Sequence, residues 1–124
     1  MQNQLISILV PFKNTSLFIA QCLESIINQT YSNWELIIVD DHSTDESHSI
    51  VERFAEQDSR IQVYKNKGSG IIEALKLAYS KSKGSYITRM DSDDIMTENK
   101  LQSMHDDLIS HGKGYVALGL VKYF

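Results

Sequence analysis

Asp40-Asp41 and Asp91-Ser92-Asp93-Asp94 place five carboxylates in two short runs, each directly behind a stretch of apolar and β-branched residues. Carboxylates brought together repel one another, so such a cluster is costly unless positive charge sits among them. A divalent cation meets that need. Oxygen donors without His or Cys suit magnesium or manganese, hard ions that keep some waters and take further ligands from a substrate phosphate. The competing reading is local, because Asp is also common where a strand turns into a helix, as a cap or a turn former. Asn14 carries the same two readings, and Pro11 and Phe12 either line a site or end a strand and pack.

The elements that must position these residues follow from hydrophobic spacing. Leu5 to Val10 is an apolar run that stops at Pro11, which lacks a backbone donor, and is read as a first strand. Ile19, Cys22, Leu23, Ile26 and Ile27 then recur at helical steps. Trp34 to Val39 is continuously apolar at its end, as in a strand covered on both faces. Ser43 and Glu46 have capping-box spacing ahead of a helix burying Ile50, Val51 and Phe54. A short strand over Ile61 to Tyr64 precedes Gly68-Ser69-Gly70 and a third helix with Ile71, Leu75, Ala78 and Tyr79 inward, closed by Gly84. Tyr86 to Met90 is the fourth strand. Thr97 is expected to cap a helix burying Leu101, Met104 and Leu108, before a last strand from Tyr115 to Val121.

This βαβαβαβαβ order specifies an α/β fold: a mostly parallel sheet, right-handed crossovers and helices on both faces. Ligands of such sheets bind at the carboxyl ends of the strands, where Pro11 to Asn14, Asp40-Asp41 and Asp91 to Asp94 would converge. Asn66 to Gly70 is either a phosphate-facing loop, through its backbone N–H groups and Lys67, or a plain connection. Arg89, just ahead of the acid motif, is placed to pair with one of its carboxylates. His48, His105 and His111 show no metal-site spacing and are expected at the surface, and His42 is read as a solvent-facing loop histidine rather than a catalytic group.

The 124 residues suit one domain, and 42% hydrophobic with 23% charged residues is the balance of a folded protein. A net charge of −4 argues against general nucleic-acid binding. No apolar run reaches the roughly 18 residues of a membrane span, and the start Met1-Gln2-Asn3-Gln4 is unlike a signal peptide, so the expected compartment is the cytoplasm. The single cysteine, Cys22, is read as a small core residue rather than a reactive thiol. Asn14-Thr15-Ser16 and Asn28-Gln29-Thr30 fit the glycosylation sequon but, without export, are taken as chance.

Four pieces occur in the order and spacing of family 2 glycosyltransferases, and the resemblance covers essentially the whole chain. They are Ser7 to Asn14 (SILVPFKN), Leu23 to Tyr31 (LESIINQTY), Glu35 to Asp45 (ELIIVDDHSTD) and Gly84 to Asp94 (GSYITRMDSDD). The resemblance implies a GT-A-like, Rossmann-like nucleotide-binding half and an inverting transfer from a nucleotide sugar, commonly a UDP-sugar, to a hydroxyl of a saccharide or lipid-linked acceptor. It implies that Pro11, Phe12 and Asn14 line the base, that Asp41 accepts a hydrogen bond from it, and that Asp91 and Asp93 form the D-x-D motif. In that motif Asp91 lies near the ribose and metal and Asp93 binds the Mn2+ or Mg2+, with Asp94 in support. Polysaccharide assembly is a common setting for the family.

Two departures stand out. His42 occupies the family's usual glycine position, which is less comfortable for a side chain if φ is positive. No residue matches the general base, which the family takes from a later segment, so residues 1–124 are expected to be a nucleotide-sugar-binding domain truncated at its C-terminal end. Its exposed edge makes self-association an expectation. The alternatives are a non-catalytic fragment that binds the sugar nucleotide without transferring it, and a receiver-type signalling domain. The receiver is disfavoured because its acids should follow strands one and three.

Overall fold

The computed structural model describes residues 4–111, and side chains as far as residue 107. Four strands, β1 (Ile6–Phe12), β2 (Trp34–Asp40), β3 (Ile61–Lys65) and β4 (Tyr86–Arg89), alternate with helices α1 (Ile19–Ile27), α2 (Ser47–Gln57), α3 (Ile71–Lys81) and α4 (Lys100–His111). The strands form one parallel sheet in the order β3-β2-β1-β4. The α/β reading therefore holds over the described residues. The expected strand from Tyr115 to Val121 and the burial of Leu108 lie outside them.

Every residue of β1 and β2 is buried, as their position in the middle of a covered sheet requires. Alternate side chains separate into two cores. Ile6, Ile8, Val10, Leu36 and Ile38 pack with Ile19, Leu23 and Ile26 of α1, Val51 of α2 and Leu101 of α4. Leu9, Ile37, Val39 and Ile87 pack on the opposite face against Ala74, Leu75 and Ala78 of α3. Three helices thus cover one face and α3 the other.

Five local expectations are corrected. Pro11 does not end β1: it pairs in register with Val39, and the strand runs to Phe12. Leu9 O accepts from Met90 N on the β4 side. Alternation puts Pro11's missing donor on that same side, beyond the end of β4 at Arg89, so no ladder bond is lost. The Ser43–Glu46 capping box does not form. α2 starts at Ser47, its N-cap Glu46 makes no side-chain bond, and Ser43 Oγ instead accepts from Asn14 N at 3.0 Å.

Gly84 does not close α3, which ends at Lys81 with Ser82 as its extended C-cap. A Cβ at Gly84 would meet Ser7 Oγ at 2.5 Å and Leu5 O at 2.8 Å. Glycine is needed there because the chain presses against β1 and its N–H donates to Ser7 Oγ. Ile71 and Tyr79, expected inward on α3, are exposed. Nor is His105 a surface residue: it is buried on α4, with its ring 4.9 Å from that of Tyr31 and 6.0 Å from that of Tyr86.

Candidate functional site

The parallel register brings the carboxyl ends of β1, β2 and β4 side by side, with Phe12 opposite Asp40 and Leu9 opposite Arg89. A cleft of about 390 Å³ opens at that edge, lined by Pro11, Phe12, Lys13, Thr15, Asp41, Ile71, Arg89, Asp91, Ser92 and Asp93. Five of the six residues singled out for binding, Pro11, Phe12, Asp41, Asp91 and Asp93, share this one space.

Asn14 is not in the lining. It has a left-handed φ of 52°, and its carboxamide oxygen accepts from Thr44 N at 2.8 Å and Asp45 N at 3.3 Å. It ties the loop after β1 to the loop after β2. Asn is among the side chains that tolerate this backbone region best.

The two acids after β2 face different ways. Asp40 is buried as a loop anchor, with Oδ1 accepting from Ser43 N at 2.8 Å. Its Oδ2 lies 2.9 Å from His48 Nδ1, close enough for attraction but not aligned as a straight hydrogen bond. Asp41 faces the cleft. Its Oδ1 accepts from Asn66 Nδ2 and Gly70 N, each at 3.0 Å, and its Oδ2 from the same Gly70 N at 3.1 Å. Burial pushes this carboxyl up, but the Asn66 and Gly70 donors, with the positive charge of Lys13 and His42, outweigh it and hold Asp41 below its ordinary value. An ionised Asp41 is an acceptor only.

Sequence spacing carries no sign of Asn66 and Gly70 in this role, and Lys13 is legible only as part of its motif. The segment Asn66–Gly70, read as either a phosphate loop or a connection, instead supplies the donors around Asp41. Gly70 has φ 94°, a conformation that side chains rarely adopt, and so had a legible signal in its glycine. His42 does adopt positive φ, at 64°, and its Nε2 lies 2.7 Å from Gly68 O, which joins the two loops from the exposed side.

The acid loop differs in character. Asp91, Asp93 and Asp94 are all exposed, and one carboxylate oxygen from each lies within 4.8 Å of the others. Arg89 pairs with Asp91 at 3.3 Å, as its place in the sequence suggested. Three hard oxygen donors so close, with substantial access to water, fit magnesium or manganese in a partial ligand set completed by solvent or phosphate. Beneath the loop, Cys22 Sγ lies 3.8 Å from Asp91 O. Burial, followed by the charges of Asp94, Asp93 and Asp91, pushes the thiol up to about 12, so Cys22 stays a protonated core residue.

The comparison that decides the family is a match of the glycosyl transferase family 2 model to residues 7–124. The chain belongs to that family. Among its relatives, glycosyltransferase GlyG of Streptococcus pneumoniae is 44% identical over 108 residues, covering 86% of this chain and 36% of the relative. The chain thus spans about a third of that protein's length. The fold agrees with the S. aureus TarS 1–349 structure in complex with UDP-GlcNAc, at TM-score 0.79 and 25% identity over 86% of this chain and 31% of that one. The mannosyltransferase PcManGT of Pyrobaculum calidifontis, in complex with GDP-Man and Mn2+, matches at TM-score 0.69 and 26% identity, over 76% of this chain and 29% of that one. This family 2 chain is therefore the GT-A amino-terminal architecture, with its acid loop and Asp41 at the same sheet edge.

Proposed function

We propose that the chain forms the donor-binding domain of an inverting, metal-dependent glycosyltransferase. Its donor is a UDP-sugar, and the sugar passes to a hydroxyl of a saccharide or lipid-linked acceptor. One observation carries the reading: a single cleft is lined by an ionised, acceptor-only carboxylate and by Asp91 and Asp93, two of the three clustered acids suited to a cation.

The roles follow from the chemistry of each group. Uracil presents a ring N–H that Asp41 accepts, while Pro11, Phe12 and Ile71 offer apolar walls to the base. Asp91, Asp93 and Asp94 would hold the cation, Mn2+ or Mg2+, which when bound supplies positive charge to the leaving diphosphate. Lys13 and Arg89, which also line the cleft, add fixed positive charge toward the phosphates. Inversion requires the acceptor hydroxyl to attack from the side of the sugar away from the diphosphate, with a carboxylate base there. The UDP-GlcNAc bound by TarS and the GDP-Man and Mn2+ bound by PcManGT support a nucleotide-sugar donor. Both bases carry a ring N–H of the kind Asp41 accepts.

The test is calorimetric titration of UDP with and without Mn2+, beside Asp93→Ala. The expected outcome is metal-dependent UDP binding that the variant weakens by about 100-fold, the upper end of what even outer-shell changes at metal sites cost. Absence of nucleotide binding under either condition overturns the donor-site reading.

A further inference from the structure

We propose that Asn66 and Gly70 are positioning residues for nucleobase choice. They clamp Asp41 so that a defined carboxylate oxygen faces the cleft as an acceptor. That orientation, rather than any contact of their own with the nucleotide, sets the preference for a base with a ring N–H over one with a ring-nitrogen acceptor. The inference rests on the donor-site reading above.

Three chain segments meet at this clamp. Asn66 follows β3 directly, donates its backbone N–H to Asp40 O at 2.9 Å, and is itself 5% exposed. Its amide nitrogen bridges Asp41 Oδ1 at 3.0 Å and Gly70 O at 3.3 Å. Gly70, the residue ahead of α3, turns its N–H onto the same carboxylate. Oδ1 therefore receives two donors, whereas Oδ2 has only a share of one, which leaves Oδ2 the greater capacity to accept a further hydrogen bond. A Cβ on Gly70 would meet nothing within 4 Å, so the glycine is required by its φ of 94° and not by space. The bend aims its N–H at Asp41.

The chemical consequence is selectivity. Uracil and cytosine have the same ring size, but N3 is a donor in uracil and an acceptor in cytosine. An acceptor-only oxygen held in place attracts the first and repels the second. A carboxylate free to rotate or to take up a proton discriminates less. Replacing Asn66 by Asp would set two carboxylates in contact, a pair that keeps one proton because both cannot ionise cheaply. That proton becomes available to cytosine N3.

The experiment compares UDP and CDP affinities at one Mn2+ concentration for the chain and for Asn66→Ala, Asn66→Asp and Gly70→Ala, with folding checked by circular dichroism. The chain itself should prefer UDP. Asn66→Ala and Gly70→Ala should cut the UDP-to-CDP ratio about tenfold, the scale of one misplaced hydrogen bond. Asn66→Asp should cut it further by raising CDP affinity. Folded variants that lose UDP and CDP affinity by the same factor would show that the clamp only supports the fold, and the proposal is then wrong. If Asn66→Ala does not fold, the near-isosteric Asn66→Asp decides the question by the same ratio. A chain that binds neither nucleotide sinks the donor-site reading and this inference with it, whereas UDP binding with an unchanged ratio in the variants sinks the inference alone.

Discussion

Asp41 and the Asp91–Asp94 loop use the same side chain in opposite electrostatic conditions at one sheet edge, where Asp41, Asp91 and Asp93 line a common cleft. Asp41 is 7% exposed and already holds its donors, so its charge is satisfied by the protein itself. The three acids of the loop are exposed and crowd their oxygens together, with Arg89 an exposed counter-charge to Asp91. A carboxylate satisfied in advance is rigid and can discriminate by geometry. A crowded, hydrated one is a site for a cation. The difference teaches that an acidic residue's role is set by how many donors the fold already gives it.

The contrast can be broken most directly by measuring stability on each side. Asp41→Ala strands the Gly70 N–H and leaves the buried Asn66 amide with only its 3.3 Å bond to Gly70 O, and is expected to destabilise the chain by about 1–3 kcal/mol, the cost of a buried donor left unpaired. Asp93→Ala, which relieves repulsion among exposed charges, is expected to leave urea unfolding unchanged or slightly strengthened. Equal losses for the two variants would erase the distinction.

Acid titration sharpens the same contrast with a smaller effect. Asp41 is held below its ordinary value in the folded chain, so the unfolded chain binds its proton more readily. Its stabilising contribution is complete above the unfolded value of about 4 and is lost as pH falls through the lower folded value. Urea midpoints measured from pH 7 down to pH 3 should therefore decline less steeply below about pH 4 in Asp41→Asn than in the parent chain. Identical slopes would mean that Asp41 is not specially stabilised in the fold.

The smallest effect is expected at Arg89. Its pair with Asp91 is exposed on both sides, and such pairs contribute about 0–1 kcal/mol. Arg89→Gln should leave the unfolding midpoint nearly unchanged, while weakening UDP binding if its charge faces the phosphates. A large loss of stability would show that the acid loop relies on Arg89 as Asp41 relies on Asn66.

How much of this was legible depended on the distance along the chain over which each feature is determined. The apolar runs of β1 and β2 and the helical spacing of Ile19, Cys22, Leu23 and Ile26 are local, and the structure has those elements where the pattern put them. Residues whose type suits both a local turn and a distant contact were the ones misread. Ser43 and Glu46 have capping-box spacing, yet Ser43 Oγ is bonded to Asn14, 29 positions away. Gly84 resembles a helix stop, yet its reason is the proximity of Ser7, 77 positions away. Pro11 resembles a strand end, but its neighbour β4 had already stopped.

By itself the sequence determined the alternation of elements, the parallel α/β class and the placing of acids behind strands two and four, because periodicity and turn chemistry act between residues a few positions apart. Only the tertiary structure decided which acid faces the cleft, that Asn14 braces two loops, and that Asn66 and Gly70 hold Asp41. Those choices arise where segments 25 to 31 positions apart are brought into hydrogen-bonding distance. A donor's partner is selected by the angle and burial created when the sheet assembles, and neither quantity is written in the spacing of the residues along the chain.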